Sequence, residues 1–71
     1  MFFSERLKEL RTERNITQKN LASAVLVTER FYQLMERGKS RPGIDTVIAL
    51  ADYFDVSIDY LVGRSDNPGR R

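Results

Sequence analysis

Hydrophobic residues recur along the chain at the spacing of amphipathic helices. Phe3, Leu7 and Leu10 fall at positions i, i+4 and i+7, and the segment Ile44–Phe54 continues such a stripe. No segment alternates between apolar and polar residues as a half-buried strand does. The pattern predicts five short helices, at about residues 4–14, 17–25, 28–37, 44–54 and 57–62.

Turn and cap residues mark where these helices begin and end. Thr17, Thr28 and Ser57 each follow an apolar residue and precede another by four positions, which is the pattern of an N-cap with a hydrophobic staple. The residues that follow three of the helical segments suit the left-handed conformation that ends a helix: Asn15, Gly38 and Gly63. We therefore expect an all-α, compact five-helix bundle over residues 1–63, followed by a polar C-terminal tail at 64–71.

The composition restricts the chemistry that is open to the chain. Its 71 residues support one core, and the absence of Cys and His excludes disulfides, His-based triads and Cys/His zinc sites. The sequence also lacks a titratable cluster and a Gly-rich phosphate loop, so we predict no enzymatic activity, no cofactor and no metal site. No apolar run approaches the roughly 18 residues of a membrane span. A cytoplasmic protein without a membrane partner is the expectation.

The formal charge of +2 conceals an uneven distribution along the chain. Residues 15–44 carry +3, whereas residues 45–66 carry −4. Such an imbalance arises by chance in a small domain, or it marks a basic face that binds nucleic acid. The position of the basic groups on the folded body decides between the two.

The second and third predicted helices form the part of the chain that points to a function. Only Leu26-Val27 separates them, which is too short for an antiparallel pair and indicates the steep crossing of a helix-turn-helix. In that motif the second helix of the pair lies in the DNA major groove. Its outward face here carries side chains that match base edges, together with one leucine: Glu29, Arg30, Gln33, Leu34 and Arg37. A solvated amphipathic helix would carry similar residues, so this helix alone leaves both interpretations open.

Polar and basic residues flank this helix on both sides. Gln18 and Lys19 fall in the first turn of the preceding helix, where free N–H groups and the helix dipole favour a phosphate. The segment Arg37–Pro42 places three cations directly after the third helix. Since phosphates border a groove on both sides, this arrangement suits the DNA backbone.

Four sequence blocks fall in an order and at a spacing that a known family shares. They are Ile16–Ala22, Val27-Thr28, Glu36–Pro42 and Leu50–Gly63. Together they resemble the lambda-repressor/Cro-like (XRE-type) helix-turn-helix family over about residues 4–65. The resemblance implies a lambda-repressor-like DNA-binding fold, with the helix-turn-helix formed by helices 2 and 3. It also implies a sequence-specific, double-stranded DNA-binding transcriptional regulator of the repressor type.

The resemblance further implies roles for individual residues. Gln18 binds a phosphate and braces the third helix, while Arg11 and Glu36 form a structural ion pair. Base contacts are implied at Thr28, Glu29, Arg30, Gln33 and Leu34. With the flanking polar residues included, backbone contacts are expected at Thr17, Gln18, Lys19, Arg37, Lys39, Ser40 and Arg41.

Some positions depart from the family pattern. Leu26 stands where the family usually has Gly, and a left-handed conformation there would cost about 1–2 kcal/mol. A distorted turn and a buried Leu26 are the alternatives. Tyr32 and Met35 replace a common aliphatic residue and a larger aromatic one, and they keep a core role. Phe31 is expected to pack, whereas Leu34 is left open between packing and thymine methyl contact.

The small size of the chain favours a homodimer. One module of this size buries about 600–1,000 Å² on DNA, and specific binding usually needs more. A two-fold dimer would read a palindromic operator with half-sites about 10 bp apart. The segment at the fifth helix is apolar enough to form the dimer surface or simply to cap the core, and its candidates are Val56, Ile58, Tyr60 and Val62.

A second function from another class is a protein-interaction module, such as an antitoxin or antirepressor with the same fold. A protein-binding surface would replace the basic groups of the outward face with apolar or mixed residues. The chain retains Arg30, Arg37, Lys39 and Arg41, which favours DNA. Binding to DNA and to a protein partner are not mutually exclusive.

Overall fold

The computed structural model describes residues 2–69, which form five α-helices and no strand. The helices are α1 (Phe3–Glu13), α2 (Gln18–Ala24), α3 (Glu29–Glu36), α4 (Ile44–Phe54) and α5 (Ile58–Leu61). The all-α, five-helix prediction is confirmed, with predicted ends that differ by no more than one residue. Met1 of the predicted domain, and Arg70 and Arg71 of the predicted tail, lie outside the described residues.

Hydroxyl side chains begin three of the helices, as the sequence predicts. The side-chain oxygens of Thr17 and Thr28 accept the backbone N–H groups of Asn20 and Phe31 at 3.1 and 3.0 Å. Ser57 caps α5 in the same way through the Tyr60 N–H group. The apolar residues on either side of each cap lie in the core or pack against it: Ile16, Leu21, Val27, Tyr32, Val56 and Leu61. Local capping and burial therefore fix where these helices start.

Left-handed residues follow all five helices: Asn15, Leu26, Gly38, Asp55 and Gly63. At the turn after α2, the Val27 N–H group donates to the Ala22 carbonyl at 3.0 Å, the pairing of a Schellman motif. Leu26 in this turn is left-handed, with φ +62°, and its side chain is 92% exposed. Neither alternative, a distorted turn or a buried Leu26, is therefore observed. Asp55 is a left-handed residue that the sequence did not indicate.

The core lies where α1 meets both halves of the bundle. α1 packs against α3 and α5, which in turn pack against α2 and α4 respectively. Tyr32 and Met35 have no exposed surface, which confirms their predicted core role, and Phe31 packs against the same cluster. None of the helices within residues 2–69 combines the length and apolarity required to cross a bilayer.

A buried arginine ties the C-terminal segment to α1. Arg6 is only 4% exposed, and its guanidinium carbon lies 3.7 Å from the centre of the Tyr60 ring. Its Nη1 donates to the Tyr60 carbonyl at 3.1 Å, and its Nη2 lies 3.6 Å from Asp66 Oδ1. The Ser57 N–H group donates to the Pro68 carbonyl at 3.1 Å. Residues 64–69 of the predicted tail therefore contact the helical body.

The four predicted dimer residues differ in their exposure. Val56 lies in the core and is 5% exposed, which fits the alternative that it caps the core and leaves little surface for a second chain. Tyr60 and Val62 are half-buried against the core, and Ile58 is 39% exposed. The apolar pattern did not separate Val56 from the others, because a staple residue and a surface residue look alike in sequence.

Candidate nucleic-acid interface

The α2–turn–α3 unit presents one polar side to solvent. Leu21 and Ala22 of α2, and Tyr32 and Met35 of α3, are buried, so the opposite sides of both helices face outward. α2 has seven residues and α3 has eight, and the two helices pack against each other. The fold thereby exposes the face of α3 that the sequence proposes for base contacts.

The predicted base-contact residues lie together on α3 and at its N-terminus. Thr28, Glu29 and Arg30 are exposed, whereas Gln33 and Leu34 are half-buried. Gln33 Nε2 lies 3.5 Å from Glu29 Oε2, so these two side chains are neighbours on one helix face. The Thr28 oxygen accepts the Phe31 N–H group, which leaves the hydroxyl proton for another acceptor. The arrangement joins donors and acceptors of several kinds on one surface.

The predicted backbone-contact loop turns sharply at the end of α3. Gly38 has φ +73°, and the Lys39 N–H group donates to the Leu34 carbonyl at 2.9 Å. This left-handed step reverses the chain directly after Arg37, so the cations that follow stay beside the helix end. The side chains of Arg37, Lys39 and Arg41 are exposed and that of Ser40 is half-buried. Lys19 and Thr17, at the start of α2, are exposed as well.

A carboxylate links α1, α2 and α3 behind this surface. Arg11 Nε and Nη2 donate to Glu36 Oε2 and Oε1 at 2.5 and 3.2 Å, so the structure places these residues in a two-point ion pair. Arg11 Nη1 also donates to the Ile16 carbonyl at 2.8 Å. Gln18 Nε2 donates to Glu36 Oε1 at 3.1 Å, and the Tyr32 hydroxyl donates to Oε2. This hydrogen bond joins Gln18 of α2 to the last residue of α3, as its implied role as a brace for α3 requires.

The Glu36 network keeps the carboxylate charged. Burial opposes ionisation of Glu36, but hydrogen bonds from Arg11, Tyr32 and Gln18 outweigh it and lower the pKa of the carboxyl below its ordinary value. The Glu36 hydrogen bond raises the pKa of Arg11. Burial, together with the hydrogen bond to Glu36, raises the pKa of Tyr32, so its hydroxyl remains a donor. The network is therefore one ion pair with two further donors on its anion.

An open cleft lies over this network. It has a volume of about 490 Å³, and its lining consists of Lys8, Arg11, Thr17, Gln18, Glu36 and Arg37. The three cations of this set outnumber its single carboxylate, so the cleft suits an anion. Lys8 was missed in the sequence because it precedes the motif, although it lies one turn before Arg11 on the same helix. Among residues 2–69, no group of acidic side chains is arranged to hold a metal ion.

Comparisons with known proteins agree with this geometry. A family model described as helix-turn-helix matches residues 7–61. The uncharacterized HTH-type transcriptional regulator YqaE of Bacillus subtilis is 37% identical over 65 residues, which cover 92% of this chain and 56% of YqaE. The cryptic phage CTXphi transcriptional repressor RstR of Vibrio cholerae is 34% identical over 64 residues, 90% of this chain and 58% of RstR.

A solved repressor structure extends this agreement to three dimensions. The P22 c2 repressor, in a crystal structure with a synthetic operator, superposes with a TM-score of 0.85 and is 26% identical. The match covers 92% of this chain and 98% of that one. The likeness confirms the expected repressor-like helix-turn-helix fold.

Proposed function

The chain belongs to the helix-turn-helix family whose model matches residues 7–61, and on this premise we propose that it is a sequence-specific transcriptional regulator that binds double-stranded DNA through α3. The family is one of DNA-binding regulators rather than of enzymes. The observation that carries the proposal is the surface around α3. Exposed Arg30 lies on that helix, and cations flank it both in the cleft over Glu36 and in the loop Arg37–Arg41.

The outward face of α3 supplies the base contacts in this proposal. Arg30 pairs with a guanine edge and Gln33 with an adenine edge, while Glu29 accepts from a cytosine amino group. Leu34 contacts a thymine methyl group, because its half-buried side chain keeps part of its surface on this face. Thr28 contributes its hydroxyl at the N-terminal end of the helix.

Residues on both sides of α3 hold the DNA backbone. They carry positive charge, a hydroxyl or an amide and supply affinity without reading sequence. The set is Thr17, Gln18, Lys19, Arg37, Lys39, Ser40 and Arg41. Arg11 and Glu36 stay out of direct contact and keep α1 and α3 in place behind the interface.

We further propose that the chain acts as a homodimer on a palindromic operator. A single module of about 600–1,000 Å² of DNA contact falls short of the area of most specific complexes. Ile58 is the most exposed of the apolar residues at α5 and is the leading candidate for the dimer contact. The Asp59 and Asp45 side chains are exposed on the acidic part of the chain, which directs the DNA to the α2–α3 side.

The chain spans a little over half the length of the curated relatives that it matches, at 56% and 58% of YqaE and RstR. Because the rest of each relative has no counterpart in the matched region, the activity of the whole protein is proposed from the names of these relatives. Repression is the activity we propose, since RstR and the P22 c2 protein are both named repressors. We also propose a cytoplasmic location, because a regulator that binds bacterial DNA must be in the compartment that contains that DNA.

Two alanine substitutions separate base contacts from backbone contacts. Arg30→Ala should reduce discrimination by about 1–3 kcal/mol at one base position and leave other positions unchanged. Lys39→Ala should weaken binding to all duplexes alike and reduce the salt slope by about one. Competition binding with single-base variants of a selected site measures the discrimination, and binding at several salt concentrations measures the salt slope. If Lys39→Ala changed base preference and Arg30→Ala did not, the assignment of α3 to the major groove would be wrong.

A further inference from the structure

The Glu36 carboxylate holds Gln18 through one specific oxygen. Gln18 Nε2 donates to Oε1 at 3.1 Å, and Arg11 Nη2 shares that oxygen at 3.2 Å. The other oxygen, Oε2, accepts from Arg11 Nε and from the Tyr32 hydroxyl. The position of Gln18 therefore depends on how the carboxylate is oriented.

Tyr32 is the most deeply buried of the three donors. Its ring has no exposed surface, and it lies one turn before Glu36 on the same helix. Arg11 and Gln18, in contrast, are long side chains that lose more rotamer freedom when they are fixed. A phenol held by the core places its hydroxyl at a fixed point, so Oε2 stays there and Oε1 is directed at Gln18. The sequence assigned Tyr32 to the core only, since its spacing reveals burial and says nothing of the hydroxyl.

Gln18 has a donor left over for a ligand. A glutamine amide carries two N–H groups, and one of them is used by Glu36. Gln18 is half-buried and lines the open cleft beside Lys8 and Arg37. An amide fixed in that place offers its second N–H group to an anionic oxygen next to two cations.

We propose that Tyr32 is a positioning residue for the DNA phosphate site: its hydroxyl fixes the Glu36 carboxylate, which holds the Gln18 amide toward the phosphate. This inference rests on the proposed DNA-binding function and deepens it by adding a residue that does not touch DNA. Tyr32 acts through Gln18, so the loss of its hydroxyl lowers the affinity for DNA only while Gln18 is present.

A double-mutant cycle on a random-sequence duplex tests this dependence, because a phosphate contact needs no particular sequence. Tyr32→Phe keeps the ring and removes the hydroxyl, and it should weaken binding about twofold to tenfold, as for members of one hydrogen-bond network. In the Gln18→Ala background, the same substitution should leave affinity unchanged. An equal loss in both backgrounds, or no loss in the first, would overturn the proposal.

Tyr53→Phe is the matched control. It removes a hydroxyl from a tyrosine of α4 that is 41% exposed and makes none of the hydrogen bonds to Glu36. Affinity for the duplex should not change in this variant. Thermal unfolding of each variant sets a temperature at which all are folded, and Tyr32→Phe is expected to fold because the ion pair between Arg11 and Glu36 remains.

A measurement on the free protein separates this inference from the proposed function. In NMR spectra, the two Gln18 side-chain amide protons should be distinct, the one bonded to Glu36 should be protected from solvent exchange, and Tyr32→Phe should abolish that protection. The same substitution should raise the pKa of Glu36, since the Tyr32 hydroxyl is among the groups that lower it. If the wild-type chain bound no DNA, the proposed function would fail while these signals still tested the positioning. An unchanged Gln18 amide in Tyr32→Phe would refute the positioning itself.

Discussion

The turn between α2 and α3 carries a backbone conformation that its residue does not favour. Leu26 has φ +62°, where the side chain of an L-residue crowds the following carbonyl oxygen at a cost of about 1–2 kcal/mol. Its side chain is 92% exposed, so almost no burial offsets this cost. The Schellman hydrogen bonds from Leu26 and Val27 to Ser23 and Ala22, at 3.3 and 3.0 Å, maintain the conformation.

Leu26→Gly should therefore stabilise the domain. Glycine removes the left-handed penalty, but it also gives the unfolded chain more freedom, which costs about 0.4–1 kcal/mol. The net gain is about 1 kcal/mol, which corresponds to a rise in Tm of roughly 4–8 °C for a domain of this size. Urea and thermal unfolding followed by circular dichroism measure both quantities.

Two further variants isolate the backbone as the cause. Leu26→Ala keeps the Cβ atom and should change stability by less than about 0.5 kcal/mol. Ser23→Gly places a glycine inside α2 and should reduce stability by roughly 0.5 kcal/mol. A loss of stability in Leu26→Gly would refute the reasoning. An equal gain in Leu26→Ala would assign the cost to the exposed leucine side chain instead.

Three other predictions concern stability. The pKa of Glu36 is lowered from its ordinary value of 4.5, so the stability that its ionised carboxylate contributes is complete above pH 4.5 and is lost as the pH falls through the lowered pKa. Unfolding in urea at a series of acidic pH values should show this loss of stability. Glu36→Gln should make stability less dependent on pH in this range, and it should destabilise the domain at neutral pH because Arg11 loses its ionic partner. Gly38→Ala should cost about 1–2 kcal/mol, because alanine at φ +73° is strained, and thermal unfolding would contradict this if Tm did not fall. Arg6→Ala should cost about 1–3 kcal/mol, because it removes the guanidinium's hydrogen bond to the Tyr60 carbonyl and its packing on the Tyr60 ring; an unchanged urea midpoint would contradict this.

Local rules account for the parts of the fold that the sequence predicts well. The caps at Thr17 and Thr28 depend on residues within one turn, so a short pattern contains all the information they need. Burial of Tyr32 and Met35 follows from helical spacing for the same reason. The bracing contact of Gln18 and the Arg11–Glu36 pair were reached only through the family resemblance, because their partners lie on different helices.

Long-range contacts account for what the sequence did not reveal. Arg6 is buried by Tyr60, which is 54 positions away, and nothing in the local pattern around Arg6 indicates that contact. Lys8 joins the cleft only because the fold brings α1 beside the start of α2. At Leu26 the residue preference and the turn geometry disagree, so the sequence left three alternatives open and the packing of α2 on α3 decided among them.

Selection of bound sites from a pool of random duplex DNA tests the central claim most directly. The proposed function predicts enrichment of an inverted repeat with half-sites about 10 bp apart. Arg30→Ala should remove the preference at one position of each half-site. Retention of DNA without any enrichment would contradict sequence reading by α3, and no retention at all would instead favour a protein partner for the same surface.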